Sequence, residues 1–271
     1  MNFFGPAQIA QNYCEAGKGK VSPTIPKMFL LGIMAGAFIA FGGVGSAAVG
    51  VSIPYASLAK FLGACVFPAG LTMVLCAGGE LFTGNCLLVI PLYEKQITLL
   101  QMLKNWIVVY ISNFVGAALV AAGVVFSHQP EMFGNGMAVT ILSTAVSKCT
   151  IPFGQAFLRG ILCNILVCLG VWIAFAAKDI AGKIIGLFFP VMIFVLCGFE
   201  HSVANMYYFM AGLFELRIDS FVQAAVDAGV NVSALNVAGI AANMIPVTLG
   251  NIVGGSICVG TVYWFCYLKR G

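Results

Sequence analysis

The sequence predicts an all-α membrane protein of six transmembrane helices, arranged as two inverted three-helix repeats with the second and fifth helices broken. Three observations carry this reading: charge is scarce, three short fragments recur in the two halves, and an acidic residue stands among glycines inside two apolar runs.

Only 8% of the 271 residues are charged and 61% are hydrophobic, with a mean hydropathy of +1.02. Such a chain lacks the polar surface to cover a soluble globule of its size and belongs in a lipid bilayer. Uncharged runs cover residues 28–59, 61–79, 105–130, 160–177, 184–199 and 228–268. A span needs about 20 apolar residues, so six spans follow, the fifth being the shortest. Residues 1–26 are mixed polar sequence, with Lys18 and Lys20 placed after a glycine rather than before an apolar core, so no cleavable signal is expected. They are read as a cytoplasmic N-terminal segment of a single transmembrane domain over 1–271, with repeats at about 27–127 and 155–267.

With a cytoplasmic N-terminus, Lys18, Lys20, Lys27, Lys95, Lys104, Lys178, Lys183, Lys269 and Arg270 fall inside, and Lys60, Lys148, Arg159 and Arg217 fall outside. This excess of inside cations places both termini in the cytoplasm of a cell whose inner membrane the chain crosses. Among ten cysteines, most lie in or beside apolar runs and are read as small reduced packing residues. Two histidines, and neither a CxxC nor an HExxH pattern, leave no basis for a metal site or cofactor. No nucleic-acid partner is expected.

The repeat is written in three matches. Phe29-Leu30-Leu31-Gly32-Ile33 resembles Phe157-Leu158-Arg159-Gly160-Ile161, 128 positions on. Gly78-Gly79-Glu80 through Asn85 and Gly198-Phe199-Glu200 through Asn205 share G-x-E-x4-N at an offset of 120, and Asn113-Phe114-Val115-Gly116 resembles Asn251-Ile252-Val253-Gly254 at an offset of 138. Three spans per unit force the second copy upside down, so the two glutamate elements meet near the membrane midplane.

Residues 61–93 contain one charge, Glu80, and as one straight helix would run about 50 Å, well beyond a hydrocarbon core of roughly 30 Å. The span must break, at Gly78, Gly79 and Gly84, with Pro91 ending its second piece. The fifth span mirrors it with Pro190 and Gly198 before Glu200. Broken helices expose backbone groups that lipid cannot satisfy, so they line protein or a water-filled path.

His201, the one histidine within a span, is a proton or hydrogen-bond donor on that path, or else a structural partner of a backbone carbonyl. Glu80 and Glu200 either brace the breaks by accepting backbone N–H bonds or take part in pore chemistry. Thr83, Asn85, Asn205 and Asn251 either bond a passing ion or tie spans together. Lys148 attracts anions into a vestibule or is a solvated charge. Leu71, Leu81, Phe82 and Phe194 stand near the breaks, where an apolar constriction would bar hydrated ions.

Taken together, Gly78-Gly79-Glu80-Leu81-Phe82-Thr83-Gly84, Cys163-Asn164-Ile165-Leu166-Val167-Cys168, Gly198-Phe199-Glu200-His201-Ser202-Val203-Ala204-Asn205-Met206 and Pro246-Val247-Thr248-Leu249-Gly250-Asn251 resemble the formate/nitrite transporter family, nearest its clostridial hydrosulfide channel branch. One departure is Gly84-Asn85-Cys86, where some relatives carry other small residues. The resemblance implies a homopentamer of aquaporin-like protomers, each passing formate, nitrite, hydrosulfide or a similar monovalent anion. By that resemblance His201 is the central histidine, Thr83 the pore-loop threonine and Lys148 the vestibule lysine. It also implies that Leu71, Leu81, Phe82 and Phe194 form the apolar slits, and that Asn251, with Asn243 as its alternative, is the late pore asparagine. A water or neutral-solute pore is the competing reading, weakened by the lack of paired Asn-Pro-Ala boxes. An intramembrane enzyme built on Glu200 and His201 would lack a nucleophile, a metal cluster and a cofactor motif.

Overall fold

The computed structural model describes residues 2–269 and is helical nearly throughout; Met1 and Arg270, the latter counted above among the inside cations, lie outside the described residues. Eleven helices are labelled in chain order: α1 Pro6–Val21, α2 Ile25–Gly50, α3 Ala56–Gly78, α4 Phe82–Tyr93, α5 Leu99–Phe126, α6 Gly136–Cys149, α7 Phe153–Ala176, α8 Ile180–Leu196, α9 Ser202–Glu215, α10 Asp219–Asp227 and α11 Val237–Tyr267. Five of them, α2, α3, α5, α7 and α11, are long and apolar enough to cross a membrane, and α4, α6 and α8 are shorter apolar helices. Where the sequence leads one to expect the fifth of six crossings stands α8, only 17 residues long, followed by a break and then α9.

Helix starts follow the side chains. Thr98 opens α5 in a reciprocal capping box with Gln101, and Asn236, 138 positions later, opens α11 by accepting the Gly239 N–H. Close crossing of α2 over α5 depends on missing side chains. A β-carbon at Gly36 would collide with the Asn113 carbonyl, and one at Gly116 with the Ile33 carbonyl. In the second half α7 meets α11 in the same way, with Gly250 against the Phe157 carbonyl and Gly254 against the Ile161 carbonyl. Inside a bilayer such small-residue contact is what draws helices together, since lipid is as apolar as leucine.

Both breaks are made by a glycine with a positive φ, +98° at Gly78 and +67° at Gly198. Neither would meet any atom within 4 Å if a β-carbon were added, so backbone conformation and not space selects glycine there. The two prolines behave differently from the sequence reading. Pro190 lies inside α8 without ending it, and Pro91 lies inside α4, which runs on to Tyr93 before Lys95 turns the chain with φ of 57°. Pro91 instead fills the space over Gly17 of α1, where an added β-carbon would stand 2.6 Å from its ring.

The N-terminal segment is not a loose arm. Helix α1 buries Ile9, Ala10, Tyr13 and Cys14 in an apolar cluster with Leu87, Leu88 and Ile90 of α4 and Trp172 of α7. The Tyr13 hydroxyl donates to the Gly84 carbonyl at 3.1 Å.

Gly78→Ala and Gly198→Ala are each expected to cost about 1–2 kcal/mol of stability, the price of a left-handed backbone for a residue with a β-carbon. Gly123→Ala in α5, with open space around it and an ordinary helical backbone, should be neutral or slightly stabilising. Thermal unfolding of the detergent-solubilised protein measures all three.

Candidate functional site

Each break leaves peptide groups that a helix would have paired, and each is repaired by an identical set of side chains. At the first, the Glu80 N–H donates to the Leu31 carbonyl at 3.1 Å and the Phe82 N–H donates to Asn113 Oδ1 at 3.0 Å. Asn113 Nδ2 then donates to the Gly32 and Glu80 carbonyls, both at 2.8 Å. At the second, the Glu200 N–H reaches the Arg159 carbonyl at 3.3 Å, the Ser202 N–H reaches Asn251 Oδ1 at 2.9 Å, and Asn251 Nδ2 donates to the Gly160 and Glu200 carbonyls at 2.8 and 3.0 Å.

Around this core the carboxylates build a second layer. Glu80 accepts from Asn85 Nδ2 at 2.7 Å and Lys20 Nζ at 3.1 Å; Glu200 accepts from Asn205 Nδ2 at 2.7 Å and Lys148 Nζ at 2.8 Å. Asn105 bridges Asn85 to the Lys20 carbonyl, and Asn243 bridges Asn205 to the Lys148 carbonyl. The asparagine and lysine partners stand 120, 128 and 138 positions apart, the same offsets as the sequence matches.

This geometry corrects several expectations. Glu80 and Glu200 accept from side chains, while the N–H groups of Glu80, Phe82, Glu200 and Ser202 at the breaks go to asparagine oxygens and carbonyls. Asn251 has both N–H bonds spent on carbonyls and a third bond at its oxygen, so it has no donor left for a solute, and Asn243 is spent likewise. Lys148 is neither a free vestibule charge nor a solvated one, because it neutralises Glu200. Its twin Lys20, on α1, escaped notice in a polar segment 60 residues from Glu80. The duplicated network thus reaches beyond repeats drawn at 27–127 and 155–267.

Where the two networks meet, the symmetry ends. Leu81 and His201 occupy the same backbone slot, each opening a short helix from an extended conformation (φ −109°, ψ 121° and φ −110°, ψ 114°). Thr83 and Val203 are likewise equivalent. Thr83 Oγ1 lies 2.9 Å from His201 Nε2, so the pair joins non-equivalent positions of the two halves. His201 Nδ1 accepts the Ala204 N–H at 3.0 Å, which places the ring proton of the neutral histidine on Nε2, donating to Thr83. The Thr83 hydroxyl proton is then available to another acceptor.

His201 forms part of the floor of a cavity of about 720 Å³ lined by α2, α3, α6 and the second break. Phe194 stacks on the His201 ring at 5.7 Å between centroids, and Phe67 meets Phe194 edge-on at 5.6 Å. Of the four expected constriction residues, only Phe194 lines this cavity. Leu71, Leu81 and Phe82 are buried in the same apolar core without touching it, and Phe82 packs edge-on against Tyr110 at 4.8 Å. Phe67 was missed because nothing in its sequence neighbourhood marks it. Exposed Lys60 and Arg159 line the cavity and have no ion-pair partner among the described residues, so its walls carry net positive charge.

Two helices broken inside an apolar bundle, a buried polar pair between them and a cationic cavity beside that pair are the geometry of a membrane transport site. The sequence matches the family profile described as "Formate/nitrite transporter" over residues 7–265. Among its relatives are the formate channel BtFdhC of Bacillus thuringiensis, 40% identical across 100% of this chain and 98% of that protein, and the formate channel FocA of Escherichia coli K12, 37% identical across 98% and 95%. Two solved structures share the fold. An "FNT family ion channel" superposes with a TM-score of 0.84 at 26% identity over 96% of this chain and 98% of that one. A "pentameric formate channel with formate bound" gives 0.79 at 35% identity over 90% and 98%. The chain belongs to the formate/nitrite transporter family, and it is a multi-pass membrane protein.

Removing one partner of a buried pair strands the other, at a typical cost of about 3–5 kcal/mol. Lys148 and Glu200 are the drier pair, with side chains 14% and 4% exposed against 21% and 11% for Lys20 and Glu80. Lys148→Met should therefore lower the unfolding temperature in detergent more than Lys20→Met, and adding Glu200→Gln to Lys148→Met should recover part of the loss.

Proposed function

We propose that this chain is a channel of the cytoplasmic membrane that passes small monovalent anions, formate foremost, with nitrite and hydrosulfide in the same class of size and charge. Six crossings in two inverted repeats make one aquaporin-like pore per protomer, five protomers assemble, and both termini face the cytoplasm. The observation that carries this reading is the Thr83–His201 pair, buried behind Phe194 at the base of a cationic cavity.

In this scheme Lys60 and Arg159 raise the local anion concentration in the outer vestibule without binding tightly. Phe67 and Phe194 strip water from the anion as it leaves the vestibule. Beyond them the Thr83 hydroxyl offers a hydrogen bond that replaces part of the lost hydration, and the His201 Nε2–H, at rest on Thr83, can turn to the same solute. Leu71, Leu81 and Phe82 form the apolar slit on the far side.

Proton assistance fits the same geometry at a defined cost. A proton reaches the ring only at Nδ1, which already accepts the Ala204 N–H. Charging His201 therefore removes a helix N-cap, worth about 0.5–2 kcal/mol, on top of the larger cost of a charge on a buried ring, so the anion itself must be the partner that offsets it.

Proteoliposomes loaded with the protein should admit formate in preference to chloride, and faster under an inward proton gradient. His201→Ala should abolish the gradient dependence. Swelling in water or glycerol with no formate entry would sink the anion reading and restore the neutral-solute pore.

A further inference from the structure

The offset of 128 that relates α2 to α7 sets Gly36 opposite Asn164, and here the halves differ in a way the repeat does not require. In the first half Gly36 lets α2 lie directly on the Asn113 carbonyl. In the second, Asn164 stands against the equivalent carbonyl, that of Asn251, donating to it at 2.6 Å. Its Nδ2 also donates at 3.2 Å to the carbonyl of Thr83, which lies in the other half. Cys168, one turn along α7, points its thiol at the same Thr83 carbonyl at 3.5 Å.

Helix α11 is shaped to admit this amide. It widens into a π-helix over Val253–Thr261, whereas α5 stays α-helical over its whole length. Gly255 lies in the widened stretch, and a β-carbon there would stand 2.5 Å from Asn164 Nδ2 and 2.9 Å from Cys168 Sγ. The arrangement is not free: Asn164 is fully buried, and its Oδ1 has no hydrogen-bond partner among the described residues. A tie between two crossing helices does not need such a group, since the first half makes the same crossing with glycine.

We infer that Asn164 is a positioning residue for the pore, fixing the Thr83 peptide so that the Thr83 hydroxyl meets the His201 ring. The segment it steadies is poorly held by its own ladder. Helix α4 makes a single α turn, Phe82–Asn85, and then tightens to a 3-10 turn at Cys86–Leu88. The Thr83 carbonyl, held within its own segment by the Cys86 N–H, takes its side-chain donors from α7, and residue 83 passes that orientation to His201 through its hydroxyl. Asn164 need not touch the solute for this.

The inference rests on the channel reading, and two measurements separate their fates. In proteoliposomes, Thr83→Val and Asn164→Ala should each slow formate entry about tenfold, and the double variant should be no slower than the worse single within about twofold, because both act through one hydroxyl. Cys168→Ala should give a smaller loss in the same direction. Independent losses, multiplying to about 100-fold in the double variant, would overturn the inference while leaving the channel reading intact.

The second measurement needs no solute. The chain has two histidines, so ¹⁵N-histidine spectra of the intact protein in a His128→Gln background report His201 alone. Asn164→Ala, and the near-isosteric Asn164→Asp, should move the ring resonances as Thr83→Val does. A His201 spectrum indifferent to both, in protein that keeps its oligomeric size, would refute the positioning role even if no formate flux were found.

Discussion

Backbone groups that lipid cannot pair are the constraint from which the rest of this structure follows. Two helices stop in the middle of an apolar bundle, and every N–H and C=O released there must find a partner within the protein. Asn113 and Asn251 meet that demand directly. The glutamates, the second asparagines and the lysines then hold the region in a closed lattice of charge-assisted bonds. Carboxylates are tolerated here because each has an ammonium partner and an amide donor; alone, each would be far costlier than the break it braces.

Given that scaffold, the halves disagree at a few positions, and the proposed function rests on them. His201 replaces Leu81, Thr83 replaces Val203 and Asn164 replaces Gly36. A strict two-fold would make either two polar pairs or none. The chain instead sets one polar pair across the centre and leaves the symmetry-related positions, Leu81 and Val203, apolar. In the proposed channel an anion would meet hydrogen-bond donors at one point, between walls that cannot solvate it.

Much of this was legible in the sequence, for identifiable reasons. Uncharged runs marked the long helices because a charge in lipid is costly wherever it occurs, and glycine beside glutamate marked the breaks because little else tolerates the backbone required. The Thr83–His201 meeting was reachable only through family resemblance, since 118 residues separate the two. Partners were the illegible part. Burial cost can be read from a single residue, but the group that relieves it depends on how helices cross. Thus Lys20 reads only as one more inside cation, Lys148 as a vestibule attractor or a solvated charge, and Asn251 as an ion donor or a tie between spans, of which its bonds match the tie. The repeated spacing of Asn113 and Asn251 was visible, while their shared duty to the backbone was not. The fifth apolar run is the shortest, and the helix built from it, α8, has 17 residues before the break that leads to α9.

The bracing network also has a reading in time. The lysine, carboxylate and asparagines that brace the first break lie between Lys20 and Asn113, and those that brace the second lie between Lys148 and Asn251. Neither set borrows from the other. During synthesis the first half therefore carries, by the time Asn113 has been added, the ammonium and amides that neutralise and brace its own glutamate. An intermediate with only half the chain in the bilayer need not leave a naked carboxylate in lipid while it waits for the rest.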